Sequence, residues 1–255
     1  MSVELLGQES HFLYEVYGET LHQRGRVLYP LGGDIDRVVL DAFRSLKQRN
    51  KKTGLVDGAF DVPHPSHEWY LRHCKVLGAA ACLGTVDAGL VRGALVRGEV
   101  SLAVTVDADA KIAMKKSGKA EKGGVARPIY PWTARAERIA SYAHKLGDTV
   151  QYTADLVTVE GDPLHEGTLL ESSLSLAKGL QEEGLLDYFV IYGEHGATVE
   201  EARAIGLHPL IISDDVSYGA NPQTGDTWSS SALIARAQGG AVPFPITRPE
   251  VGQYE

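Results

Sequence analysis

The chain has 255 residues, 44% hydrophobic and 23% charged, an ordinary balance for a soluble globular protein that builds one large domain or one domain with extensions. Its formal net charge of −8 excludes a general nucleic-acid binder, and no apolar run reaches the roughly 20 residues of a membrane-spanning helix. Two cysteines, Cys74 and Cys82, supply no disulfide framework, and the acidic opening Met1–Glu9 lacks a signal-peptide pattern, so the cytoplasm is the expected compartment.

Residues 1–53 carry scattered aromatics and a turn at Pro30-Leu31-Gly32-Gly33-Asp34. A helix is predicted over Asp34–Gln48, where Ile35, Val38, Val39, Ala42, Phe43 and Leu46 recur at helical spacing. No chemistry is legible in this segment.

Gly54-Leu55-Val56-Asp57 then opens the first core strand, which runs into Gly58-Ala59-Phe60-Asp61-Val62-Pro63-His64-Pro65-Ser66-His67. This reads as strand, phosphate-cradling turn and helix. Gly58 lets the backbone approach a ligand that a Cβ would obstruct. Pro63 and Pro65 hold the turn extended. Ser66 is the expected N-cap of a helix over Glu68–Leu77, whose first N–H groups would point at an anion. His64 and His67 lie three apart and so can face one side near a helix start. Two imidazoles beside exposed amides suit a phosphate that gains negative charge during reaction.

Gly78–Gly98, rich in Ala, Gly and Leu, precedes a continuous apolar strand over Glu99–Val106, with Asp107 or Asp109 capping the next helix. Residues 111–145 hold nine Lys or Arg against two acids, Glu121 and Glu137. A basic segment in an acidic chain fits a small polyanionic ligand. Beyond it come a helix over Thr133–Leu146, a strand over Asp155–Val159 and a polar loop, Glu160–His165. A helix over Thr168–Glu182, a strand from Leu186 to Gly193 and a last strand, His208–Ser213, follow. Finally Thr227-Trp228-Ser229-Ser230-Ser231 opens a terminal helix, where three hydroxyls and unpaired amides can hold phosphate oxygens. Apolar strands alternating with helices predict a parallel sheet covered on both faces, with ligands at the strand carboxyl ends.

The pattern Gly-x-Phe-Asp-x-x-His-x-x-His over Gly58–His67 resembles the nucleotidyltransferase superfamily motif, written His-x-Gly-His, in its cytidylyltransferase-like branch. That branch includes glycerol-3-phosphate cytidylyltransferases and heptose-phosphate adenylyltransferases. Ser66 stands where it usually has glycine. Ser229–Ser231 resembles its second signature, Ile-Ser-Thr-Thr or Ile-Ser-Ser-Ser, without the arginine often found just upstream. The resemblance spans residues 54–237 with an insertion near 79–98, leaving an N-terminal extension, 1–53, and a tail, 238–255.

The resemblance implies a five-stranded, Rossmann-like parallel sheet with helices on both faces. It implies transfer of a nucleotidyl group from CTP, or alternatively ATP, to a small phosphorylated or phosphonate acceptor, with Mg²⁺ accompanying the triphosphate and few protein ligands to it. Catalytic roles fall to His64 and His67 and to Lys115 or Lys116. Gly58, Ala59, Phe60, Asp61, Arg138, Gly193, Glu194, Ser229, Ser230 and Ser231 would contact nucleotide or phosphate. Arg127 and His165 would face the acceptor. A homodimer is expected by the same analogy.

Three other readings compete. A zinc site from His64, His67, His73 and Cys74 fits no common closed spacing. A class I aminoacyl-tRNA synthetase shares the two-histidine logic, but this acidic chain lacks room for an anticodon domain. A nucleotide-binding sensor that has lost catalysis is motivated by Ser66 and by the missing arginine.

Overall fold

The computed structural model describes residues 23–30, 34–49, 51–120, 126–146, 148–193 and 196–212. The strands in chain order are β1 (Gln23–Arg24), β2 (Val27–Leu28), β3 (Lys52–Gly58), β4 (Val100–Asp107), β5 (Ala143–Leu146), β6 (Thr149–Tyr152), β7 (Leu156–Glu160), β8 (Tyr188–Tyr192) and β9 (Leu210–Ile212). The helices are α1 (Ile35–Lys47), α2 (Pro65–Leu83), α3 (Ala88–Val96), α4 (Asp109–Ala120), α5 (Trp132–Ala140), α6 (Ser173–Glu182) and α7 (Gly196–Ala204).

Among the described residues the main sheet has the order β1-β2-β7-β4-β3-β8-β9. Its neighbours from β2 to β9 pair in parallel, and only β1 pairs antiparallel. The chain steps from β3 outward to β4 and β7, then returns to lay β8 and β9 on the other side of β3. The switch in strand order therefore falls between β3 and β8, where an open α/β sheet forms its ligand crevice.

The α/β class and parallel sheet agree with the sequence reading, but the sheet is wider than the five strands expected. The extra strands come from the segment before residue 54. There α1 is capped by Asp34, whose side chain accepts from the Arg37 N–H at 3.1 Å. It buries Val38, Val39, Ala42, Phe43 and Leu46 against the sheet. Fully burying such side chains stabilises by about 1.5–3 kcal/mol each, so this helix belongs to the core.

Two apolar layers sandwich the sheet. Val56, Leu71, Cys74, Val104, Ile139 and Val157 form one with α2 and α5. Phe43, Leu55, Ala103, Leu176, Leu180 and Phe189 form the other with α1 and α6. Every residue of β4 is buried, as a central parallel strand requires. Tyr188 fixes α2 against β3: a Cβ at Gly54 or Gly78 would lie 1.9 or 2.2 Å from its ring. Its hydroxyl donates to the Ser101 carbonyl at 2.9 Å.

Several boundaries differ from the sequence reading. α2 starts one turn early, with His64 at the N-cap and Pro65 at the first helical position, where its missing N–H costs nothing. Ser66 is buried inside the first turn instead of capping it. α2 then runs past Gly78 to the left-handed Gly84, and α3 fills the insertion. α5 stops at Ala140, and β5 pairs with β6 as a separate hairpin instead of continuing the helix to Leu146. The helix expected from Thr168 is split into a 3₁₀ turn, Leu169–Glu171, and α6, which Ser172 caps. No single helix among the described residues is long and apolar enough to cross a membrane.

Candidate functional site

The histidine turn leaves the carboxyl end of β3 beside the switch point. Phe60 adopts φ 43°, a left-handed conformation uncommon outside glycine. Gly58 makes room for it, since a Cβ there would lie 2.8 Å from the Phe60 ring. The buried Phe60 ring meets the His67 ring edge-on, with centroids 5.1 Å apart. The His64 and His67 rings stack at 3.8 Å with 23° between their planes.

Backbone geometry locks this pair. The His64 N–H donates to His67 Nδ1 at 3.3 Å, and the His67 N–H donates to the His64 carbonyl at 2.9 Å. The Tyr142 hydroxyl donates to the same carbonyl at 3.3 Å. Because His67 Nδ1 accepts, the neutral ring carries its proton on Nε2. Burial pushes the His64 pKa down to about 4. Burial, and then the neighbouring His64, pushes His67 well below its ordinary value. Both rings are thus neutral near pH 7 and sit at the positive end of the α2 dipole.

Asp61, Arg127 and Arg135 fasten this turn in place. Asp61 is buried, ion-paired with the Arg127 Nε, and accepts from the Ile129 N–H at 2.6 Å. This engages both Asp61 and Arg127 within the protein. Arg135 is fully buried. It donates to the carbonyls of Ala59, Tyr130 and Asp107 and to the Asp109 carboxylate, tying the turn to the end of β4. Arg138 is partly buried, with its guanidinium 5.8 Å from the centroid of Tyr142, the residue that reaches the His64 carbonyl.

The lysines stand on α4. Lys115 is exposed and 3.2 Å from Asp107 Oδ2, while Lys116 is partly buried. Gly193 follows β8, whose Tyr192 ring meets Tyr70 of α2 at 5.9 Å. His165 is buried, its Nε2 3.2 Å from the Pro30 carbonyl, so it pins its loop to the end of β2. Glu194 and the Ser229, Ser230 and Ser231 run lie outside the described residues.

Sequence reasoning missed an acidic cluster. Asp57, Asp107 and Glu160 stand at or beside the ends of β3, β4 and β7, with their nearest oxygens all within 4.8 Å of one another. Lys111 enters it, ion-paired with Asp107 Oδ1 at 2.7 Å and with Glu160. Burial and then the Asp57 charge push the Glu160 carboxyl up to about 8. Burial, reinforced by Asp107, also raises Asp57. Asp107 itself is lowered: burial is the largest influence and opposes its charge, but Lys111, a hydrogen bond with Glu160 and Lys115 together outweigh it. A repeated signal was available, because each acid ends an apolar strand: Leu-Val-Asp, Thr-Val-Asp and Thr-Val-Glu.

A scan against protein-family models matches none, and a search of curated proteins finds no match.

Proposed function

We propose that the chain is a nucleotidyltransferase that joins a nucleoside monophosphate to a small phosphorylated or phosphonate acceptor and releases pyrophosphate. The observation that carries this reading is the stacked, neutral His64–His67 pair, locked at the start of α2 beside the strand-order switch. The core order β7-β4-β3-β8-β9 supports it as a counterpart of the family's five strands.

In this reading the acceptor's phosphate oxygen attacks the α-phosphorus in line. One P–O bond forms, the bond from the α-phosphorus to its bridging oxygen breaks, and pyrophosphate leaves with the electron pair. No protein nucleophile is needed, so catalysis rests on positioning and charge stabilisation. The turn after Gly58 brings backbone close to the α-phosphate. His67 offers the Nε2 proton to an oxygen that becomes more negative, and His64 stacks behind it. Arg138 and Lys115 or Lys116 neutralise charge along the triphosphate, and Ser229–Ser231 retain the leaving group. Mg²⁺ accompanying the triphosphate would be held chiefly by phosphate oxygens and would supply further charge neutralisation. CTP is the proposed donor and ATP the alternative.

One observation favours a second reading, a sensor that binds nucleotide without turnover. Arg127 and Arg135 are committed to internal partners, which leaves fewer cations for a triphosphate. Incubation with each of the four NTPs and a panel of phosphorylated metabolites, measuring pyrophosphate, tests the enzyme reading. Calorimetric binding of an NTP with no pyrophosphate from any acceptor would favour the sensor.

A further inference from the structure

The carboxylates of Asp57, Asp107 and Glu160 project from one face of three adjacent strands. Asp57 pairs in register with Thr105, Thr105 with Thr158, and Asp107 with Glu160. Alternation along a strand puts all five side chains on the α1/α6 face, shared with Leu55, Ala103 and Leu156. Among the described residues Lys111 is the one ammonium inside the group, and Lys115 reaches Asp107 from the exposed rim. Two ammonium groups, one of them half in solvent, face three carboxyl groups crowded into one site.

A separate observation points to a missing partner. Thr105 and Thr158 are buried to 0% and 1% exposure, and neither hydroxyl has a hydrogen-bond partner among the described residues. Thr105 lies directly between Asp57 and Thr158 in register and two residues before Asp107, so its side chain borders the cluster. A buried hydroxyl left unpaired costs about 1–3 kcal/mol. A hydrated ion in the cluster would bring oxygens for both hydroxyls to meet.

We propose that Asp57, Asp107 and Glu160 form a protein-held site for a hard divalent cation of the magnesium, manganese or calcium class, loaded without nucleotide. All the donors are oxygens, as such ions require. Oxygens on opposite sides of an ion lie about 4–5 Å apart for metal–oxygen distances of about 2.0–2.6 Å, and the 4.8 Å spread of this cluster matches that range. Entry is from the carboxyl edge, where Asp57 is half-buried and Lys115 exposed. Lys111 occupies the position of the ion's charge and gives way to it. Gly161 leaves its stem that space, since a Cβ there would lie 2.4 Å from Lys111 Cδ.

The test is calorimetric titration of Mn²⁺ into nucleotide-free protein at neutral pH, with Mn²⁺ electron-spin resonance as a second readout. About one ion per chain should bind, and Glu160→Gln and Asp57→Asn should each weaken it about tenfold or more while circular dichroism shows a native fold. If Glu160→Gln does not fold, Asp57→Asn carries the test alone. Wild-type protein that binds no Mn²⁺ at millimolar concentration, or folded variants that bind it like wild type, would overturn the site. The outcome is independent of nucleotidyl transfer: Mn²⁺ bound through these carboxylates with no pyrophosphate released would retain the site and sink only the enzyme reading.

Discussion

The backbone N–H of His64 donates to Nδ1 of His67 at 3.3 Å. This one bond caps the first turn of α2 and chooses the tautomer of His67, placing its proton on Nε2. Local folding and proposed chemistry are thereby joined in a single residue. Any change that moves the His67 ring should affect turnover more than global stability.

Gly58→Ala is such a change. The new Cβ would lie 2.8 Å from the Phe60 ring, which itself supports His67. Overpacking of this kind costs about 1–3 kcal/mol. Thermal unfolding should show a modest fall in Tm, while kcat for pyrophosphate release falls by about tenfold or more. A variant with unchanged kcat would show that Phe60 does not position the histidine.

Stability should fall on acidification through the histidine range. His64 and His144 are each held at about 4 by burial, and His67 is also lowered. In the unfolded chain these rings take up protons near their ordinary value of about 6.5. Between about 6.5 and 4 the unfolded state therefore binds more protons, and stability decreases as the pH falls through that window. Tm measured from neutral pH down to about 4.5 should drop steadily. His64→Gln should flatten part of the slope, and an unchanged slope would contradict a buried neutral His64.

Much of the fold could be read before the structure, because periodicity and burial agree. Ile35 to Leu46 sits on a helix face, and Val100 to Val106 is a fully buried strand. The errors arose where tertiary contacts override local signals. Gly78 reads as a helix breaker, yet α2 continues through it because the Tyr188 ring fills the space a side chain would take. Ser66 has the composition of a cap, but Pro65 fits the first helical position and moves the cap to His64. At the candidate site, Asp61 and Arg127 were legible as residue types but not as each other's partners, being 66 positions apart. The acidic cluster was hidden for the same reason: its members come together only through the parallel register of β3, β4 and β7.

Arg135 should prove structural. It is fully buried and donates to three carbonyls and to Asp109. Removing a buried charge with four acceptors strands those acceptors and costs about 3–5 kcal/mol. Arg135→Met should therefore unfold at much lower denaturant concentration, and Arg135→Lys, lacking the planar fork, should recover only part of the loss. If Arg135→Met keeps wild-type stability but loses NTP affinity, the residue binds phosphate instead.

The central claim is that the Nε2 proton of His67 stabilises the reacting phosphate. His67→Asn keeps an acceptor atom close to the position of Nδ1, and so the cap, but removes the Nε2 donor. The decisive measurement is steady-state pyrophosphate release by wild type, His67→Asn and His64→Ala, with the NTP and acceptor that the panel identifies and with NTP binding followed in parallel. His67→Asn should fold, bind NTP and lose about 10²–10³-fold in kcat. Folded His67→Asn and His64→Ala proteins that both turn over like wild type would contradict the mechanism.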